Sequence, residues 1–154
     1  MSIDYIVASL PALAFGESAP MTWEKFEATT GWASACAGEM EKWADLETQL
    51  RNAAAEARGG ERYKRAAKGC SVFWESRVLA CFQEKDPLRR DEMIDKVWWD
   101  AAGELEKPSS PLGTGALAAY AVRLKIALRR GRMSREEGSA AFDRLTAKTK
   151  LDFE

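Results

Sequence analysis

The chain has 154 residues, 46% hydrophobic and 31% charged, enough to bury one sizeable core and too few for two comfortable ones, so a single globular domain over 1–154 is expected. It contains no histidine, which excludes Ser-His-Asp triads, His-containing zinc sites and imidazole proton relays. The net charge of −1 hides an asymmetry: residues 1–60 carry four Lys/Arg against nine Asp/Glu, and residues 116–150 carry nine against three, so the two ends differ in what they attract.

Met1-Ser2-Ile3-Asp4-Tyr5 has no basic n-region, and the apolar stretch that follows is cut by Pro11 and Gly16 before reaching signal-peptide or membrane-span form. A cytoplasmic protein is therefore expected. Residues 1–20 read as an irregular or short apolar segment. Pro20-Met21-Thr22 then announces a helix, with Thr22 as N-cap and Met21 and Phe26 spaced as a hydrophobic staple, ending near Gly31.

From Ala33 to Arg58 the positions Cys36, Met40, Trp43, Leu50, Ala54 and Ala57 recur at helical spacing, and Gly59-Gly60 stops the pattern. A third helix, about Glu61 to Glu84, aligns Tyr63, Ala67, Cys70, Trp74, Val78 and Cys81. Asp86-Pro87 reads as N-cap and first residue of a fourth, with Ile94, Val97, Trp98, Ala101 and Leu105 on one stripe. The Pro/Gly-rich stretch 107–115 is a linker. A fifth helix, about Ala116 to Arg130, carries Leu117, Tyr120, Ala121, Leu124 and Leu128 on one side. Ser134-Arg135-Glu136-Glu137 is a capping box opening a sixth, with Gly138, Ala141, Phe142 and Leu145 inward. No convincing alternating strand appears, so the expected fold is all-α: a bundle of five or six mostly antiparallel helices.

Gly113-Thr114-Gly115-Ala116-Leu117-Ala118 has the GxGxxA form of a dinucleotide fingerprint, but no strand precedes it, so it reads as a linker running into a helix. Cys36, Cys70 and Cys81 lack CxxC spacing and fall on apolar helix faces, where reduced core thiols are expected. Of six tryptophans most lie on core stripes; Trp99 projects away from the Val97–Ala101 stripe and calls for a second burial surface or a partner. The acidic residues spread along helix faces without converging on a nucleophile, so no catalytic residue, metal site or cofactor is expected.

The opening Asp4-Tyr5-Ile6-Val7-Ala8-Ser9-Leu10-Pro11-Ala12-Leu13 resembles the start of a family of short, uncharacterised helical proteins encoded in bacterial V-type ATPase operons. Residues 117–126 and 137–142 are similar to that family's closing helix pair, while the middle of the chain agrees only in helical pattern. Arg129-Arg130-Gly131-Arg132 is more basic than the family pattern. The resemblance implies a non-catalytic subunit or assembly factor of the rotary ATPase, acting through helix-face protein contacts. The alternative is a free-standing helical adaptor with an acidic protein partner.

Two site expectations follow from helical projection. Glu47 and Arg77 each fall within an apolar stripe, so both are expected to be largely buried, with each other as candidate partners; the alternative is that Arg77 runs along Trp74 to water. The fifth helix is apolar on two faces: Val122 and Ile126, with Ala119, oppose its main stripe. Arg123, Lys125, Arg129 and Arg130 flank that second face, and a protein partner is expected to dock there; burial inside the domain is the competing outcome. The basic cluster that includes Arg132 and Arg135 could also be a solvated helix end, since cations there suit the helix dipole. Nucleic acid is not expected, given a sequence pI near 5.7 and no recognised nucleic-acid fold.

Overall fold

The computed structural model describes residues 2–59, 64–66, 69, 71–107, 111–132 and 143–146. The described residues form an all-α bundle without a strand: α1 (Ile3–Ser9), α2 (Trp23–Thr30), α3 (Trp32–Ala35), α4 (Ala37–Arg58), α5 (Val72–Cys81), α6 (Pro87–Ala101), a 3₁₀ helix (Ala102–Leu105) and α7 (Thr114–Arg132). Residues 143–146 are also helical. No helix among the described residues is long and apolar enough to cross a membrane.

The helices outnumber the five or six expected, for local reasons. The Ser2 hydroxyl accepts the Tyr5 amide at 3.4 Å and starts α1 within a segment expected to be irregular. Cys36, at φ −108° and ψ 19°, leaves helical space and splits the expected 33–58 helix into α3 and α4. Elsewhere the cap chemistry holds. Thr22 accepts the Lys25 amide at 3.3 Å, and Gly31, at φ 57°, closes α2 in the left-handed conformation that glycine adopts without strain. Asp86 accepts the Leu88 amide at 3.1 Å and Pro87 opens α6.

The third helix is shorter than its apolar pattern. Residues 64–66 are not helical, because Asn52 on α4 binds the backbone of Arg65 at both its N–H and C=O, at 2.8 and 2.7 Å. Gly69 then takes φ 79°, and α5 begins only at Val72. Tyr63, Ala67 and Cys70 lie outside the described residues, as do Gly138, Ala141, Phe142 and the capping box at 134–137. Leu145, expected inward, is exposed.

The core is built around α7. Leu117, Ala118, Ala119 and Leu124 are fully buried there, and α7 touches α1, α2, α3, α4, α6 and the 3₁₀ helix. Its small residues let neighbours approach, and each fully buried Leu contributes about 1.5–3 kcal/mol. Phe26, also fully buried, stacks on Tyr120 with ring centroids 5.7 Å apart and joins Trp23 and Trp32 in one aromatic cluster. The Tyr120 hydroxyl donates to the Pro11 carbonyl at 2.8 Å, fixing the N-terminal segment to α7.

That segment supplies the second burial surface expected for Trp99. Phe15 meets the Trp99 ring edge-on at 5.5 Å, so Trp99 is buried by the chain's own N-terminus and needs no partner, while Trp98 is the half-exposed member of the pair.

The expected Glu47–Arg77 pair does not form. Glu47 bonds Arg51 one turn along α4 at 3.0 Å. Arg77 bonds Asp100 on α6 at 2.9 Å and lies over the Trp74 ring. Neither is deeply buried, with side chains 30% and 34% exposed. Projection identified the apolar faces of α4 and α5 but could not show that each charge reaches past its stripe to a nearer partner at the rim.

Candidate functional site

The second apolar face of α7 is core. Ala119 is fully buried, and Val122 and Ile126 are each only 6% exposed, so most of the strip expected to dock a partner is packed within the domain. Its flanking cations are largely engaged from other elements. The Arg123 Nε donates to the Trp99 carbonyl at 3.0 Å, and its guanidinium pairs with Glu106 at 3.1 Å. Arg129 and Arg130 share the Asp95 carboxylate on α6, Arg130 at 2.9 Å. Arg130 also lies over Phe15, 5.0 Å from its centroid.

What remains open is the space beside that strip. Between α4 and α7 lies a cavity of about 480 Å³, with Met40, Trp43, Ala44 and Glu47 on one wall and Val122, Lys125, Ile126 and Arg129 on the other. A second cavity of about 420 Å³ continues between α4 and α6, along Ala54, Ala55, Arg58 and Ile94. The two share Arg51, Trp98 and Arg129 as walls and make one trough. From Met40 to Arg58 the α4 wall is about 27 Å long at 1.5 Å per residue.

The trough is lined by aromatic and aliphatic side chains, Trp32, Trp43 and Trp98 among them, together with charged ones. Arg51, Arg58, Lys125 and Arg129 stand against Glu47 and Asp95, the first carboxylate paired with Arg51 and the second with Arg129 and Arg130. Arg58 lies over the Phe82 ring at 5.4 Å, and Lys125 over Trp23 and Trp32 at 4.6 and 5.2 Å. Neither cation has a carboxylate partner among the described residues. The expected interface is thus divided: Val122, Lys125, Ile126 and Arg129 line the trough, while Ala119, Arg123 and Arg130 belong to the packing around it.

Sequence reading missed Arg51, Arg58 and the role of Trp98. Met40, Trp43, Glu47 and Arg51 do recur at i+3 and i+4 along α4, which places them on one face. Nothing in the spacing shows that a cavity separates part of this face from α7.

The chain matches no family model, no curated protein and no solved structure.

Among the described residues no three His, Cys, Asp or Glu gather to hold a metal ion. Burial, with a smaller push from Glu39, raises the Cys36 thiol to about 11, and its Sγ donates to the Thr114 carbonyl at 3.4 Å, so it remains a protonated core thiol at neutral pH. Cys81 is likewise buried, and desolvation raises its pKa. The glycine-rich start of α7 is occupied by packing: Thr114 donates to the Glu39 carboxylate at 2.5 Å.

Proposed function

We propose that the chain is a non-catalytic interaction protein that seats an acidic helical segment of a protein partner in the trough between α4, α6 and α7. The observation that carries this reading is a tryptophan-lined trough whose walls include four cations against two carboxylates. A surface of this composition suits a chain with leucine-like residues on one face and acidic residues beside them, because the apolar face supplies affinity and the charges steer and orient it. The length of the α4 wall favours an elongated occupant over a compact metabolite.

The resemblance of residues 4–13, 117–126 and 137–142 to proteins encoded with V-type ATPases makes a subunit of the rotary complex the first partner to test, with this chain as a subunit or assembly factor. Ala44 is exposed on the trough wall and tolerates a photo-crosslinking phenylalanine analogue. Irradiation in native membranes should give an adduct whose peptide is acidic and helical and comes from a rotary subunit. An acidic adduct from outside the complex keeps the docking reading and discards the ATPase assignment. No adduct, or only basic peptides, overturns both.

A further inference from the structure

We infer that residues 2–15 form a strap that opens as one unit while the rest of the bundle stays folded, melting α1 and uncovering the Trp99 and Tyr120 side of α6 and α7. The inference does not rest on the docking reading.

The strap is held without being built into the core. From Ser2 to Lys25 no residue is buried, whereas Phe26, Leu50, Val78, Leu117 and Leu124, all outside it, are fully buried. It is held by half-buried Ile3, Val7, Leu10, Leu13 and Phe15 and by the bond from the Tyr120 hydroxyl to the Pro11 carbonyl at 2.8 Å. The Phe15 ring meets Trp99 edge-on, 5.4 Å from the Lys96 ammonium and 5.0 Å from the Arg130 guanidinium. Even there the fit is incomplete, with a cavity of about 210 Å³ left between residues 15–18 and Trp99, Ala127 and Arg130. Segments with few buried apolar contacts open at a free energy well below that of global unfolding.

The length of α1 makes the opening a single event. It has seven residues, none of them buried. A helix this short is not stable alone in water, so once Leu10, Leu13 and Phe15 leave their seat α1 loses its turns with them. A hinge follows directly: residues 16–21 form no helix, Gly16 takes φ 87°, and α2 starts anew from the Thr22 cap. The strap faces Trp99, Ala127 and Arg130, while the trough is lined by Trp98, Ile126 and Arg129. Successive residues stand about 100° apart around a helix, so the opening bares a neighbouring side of α6 and α7 and leaves the trough wall in place.

The test is amide hydrogen exchange by NMR on the full chain. The amides of Ile6 to Leu10, bonded within the first turns of the strap, should exchange at least about a hundredfold faster than those of Leu117 to Ile126. Tyr120→Phe deletes the bond to Pro11 and should speed the strap amides about fivefold, the size of one hydrogen bond; Phe15→Ala removes the ring contacts and should speed them about tenfold. Val78→Ala opens a void at a fully buried position on α5, and should lower the melting temperature while leaving the strap amides unchanged. If the strap amides are as slow as those of α7, or if Val78→Ala speeds both sets alike, the strap opens only with the whole fold and the inference is overturned. If Phe15→Ala leaves them unchanged, α1 frays in place and the strap is not one unit.

Discussion

Replacing Val122 and Ile126 together by alanine separates a docking strip from a core strip on thermodynamic grounds. Both side chains are 6% exposed and line the trough, so nearly all the removed carbon is buried in the isolated chain. Val→Ala deletes two carbons and Ile→Ala three, and at about 0.8 kcal/mol per buried methylene the pair loses about 4 kcal/mol. The cavity contribution is small here because the open trough lets neighbours and water fill the gap. The two residues sit one turn apart, so their effects need not add. For a domain of this size each kcal/mol shifts the melting temperature by about 2–4 °C, giving a fall of about 8–16 °C. Circular dichroism at the helix band measures it. A double variant melting within about 2 °C of the parent would mean that this strip is not core, and the packing of α7 described above would be wrong.

Arg77→Ala should cost only about 0.5–1 kcal/mol by urea denaturation, since its bond to Asp100 joins groups 34% and 29% exposed; a loss above about 3 kcal/mol would restore the buried pair. Burial raises the Asp100 carboxyl, but hydrogen bonds and charge from Lys96 and Arg77 outweigh it, so its pKa lies below the ordinary 3.8. Its stabilising contribution is fully present above that value and lost as the pH falls through the lower folded-state one; Asp100→Asn should remove that part of the acid sensitivity, and an unchanged acid-denaturation curve would count against it. Cys36, raised to about 11 by burial and then by Glu39, should resist alkylation at pH 8 in the folded protein and react on denaturation, as read by mass spectrometry; labelling at the rate of a free thiol would contradict its placement.

The fold class was legible because helical periodicity and caps are local. Thr22, Gly31, Asp86 and Pro87 mark helix ends through chemistry confined to a few residues, and they stand where their sequence places them. What could not be read were choices among distant partners. The apolar pattern before Val72 looked helical until Asn52 captured the backbone of Arg65. The second surface that Trp99 called for could not be named, because it belongs to Phe15, far away in sequence. Arg129 and Arg130 looked available for a partner, yet Asp95, more than thirty residues earlier, takes both. The trough was half legible, since its α7 wall includes Val122, Lys125, Ile126 and Arg129, but its α4 wall belongs to an element distant in sequence.

The attachment of the N-terminal segment to α7 imposes an order in time. The Tyr120 hydroxyl reaches the Pro11 carbonyl across 109 residues of sequence, and Phe15 finds Trp99 on the same side of the molecule. Contacts so distant in sequence close late. At ribosomal speeds of about 5–20 residues per second the first helix waits roughly 5–20 seconds for its anchor to be synthesised. During that interval Leu10, Leu13 and Phe15 are without the surface that half-buries them in the finished fold.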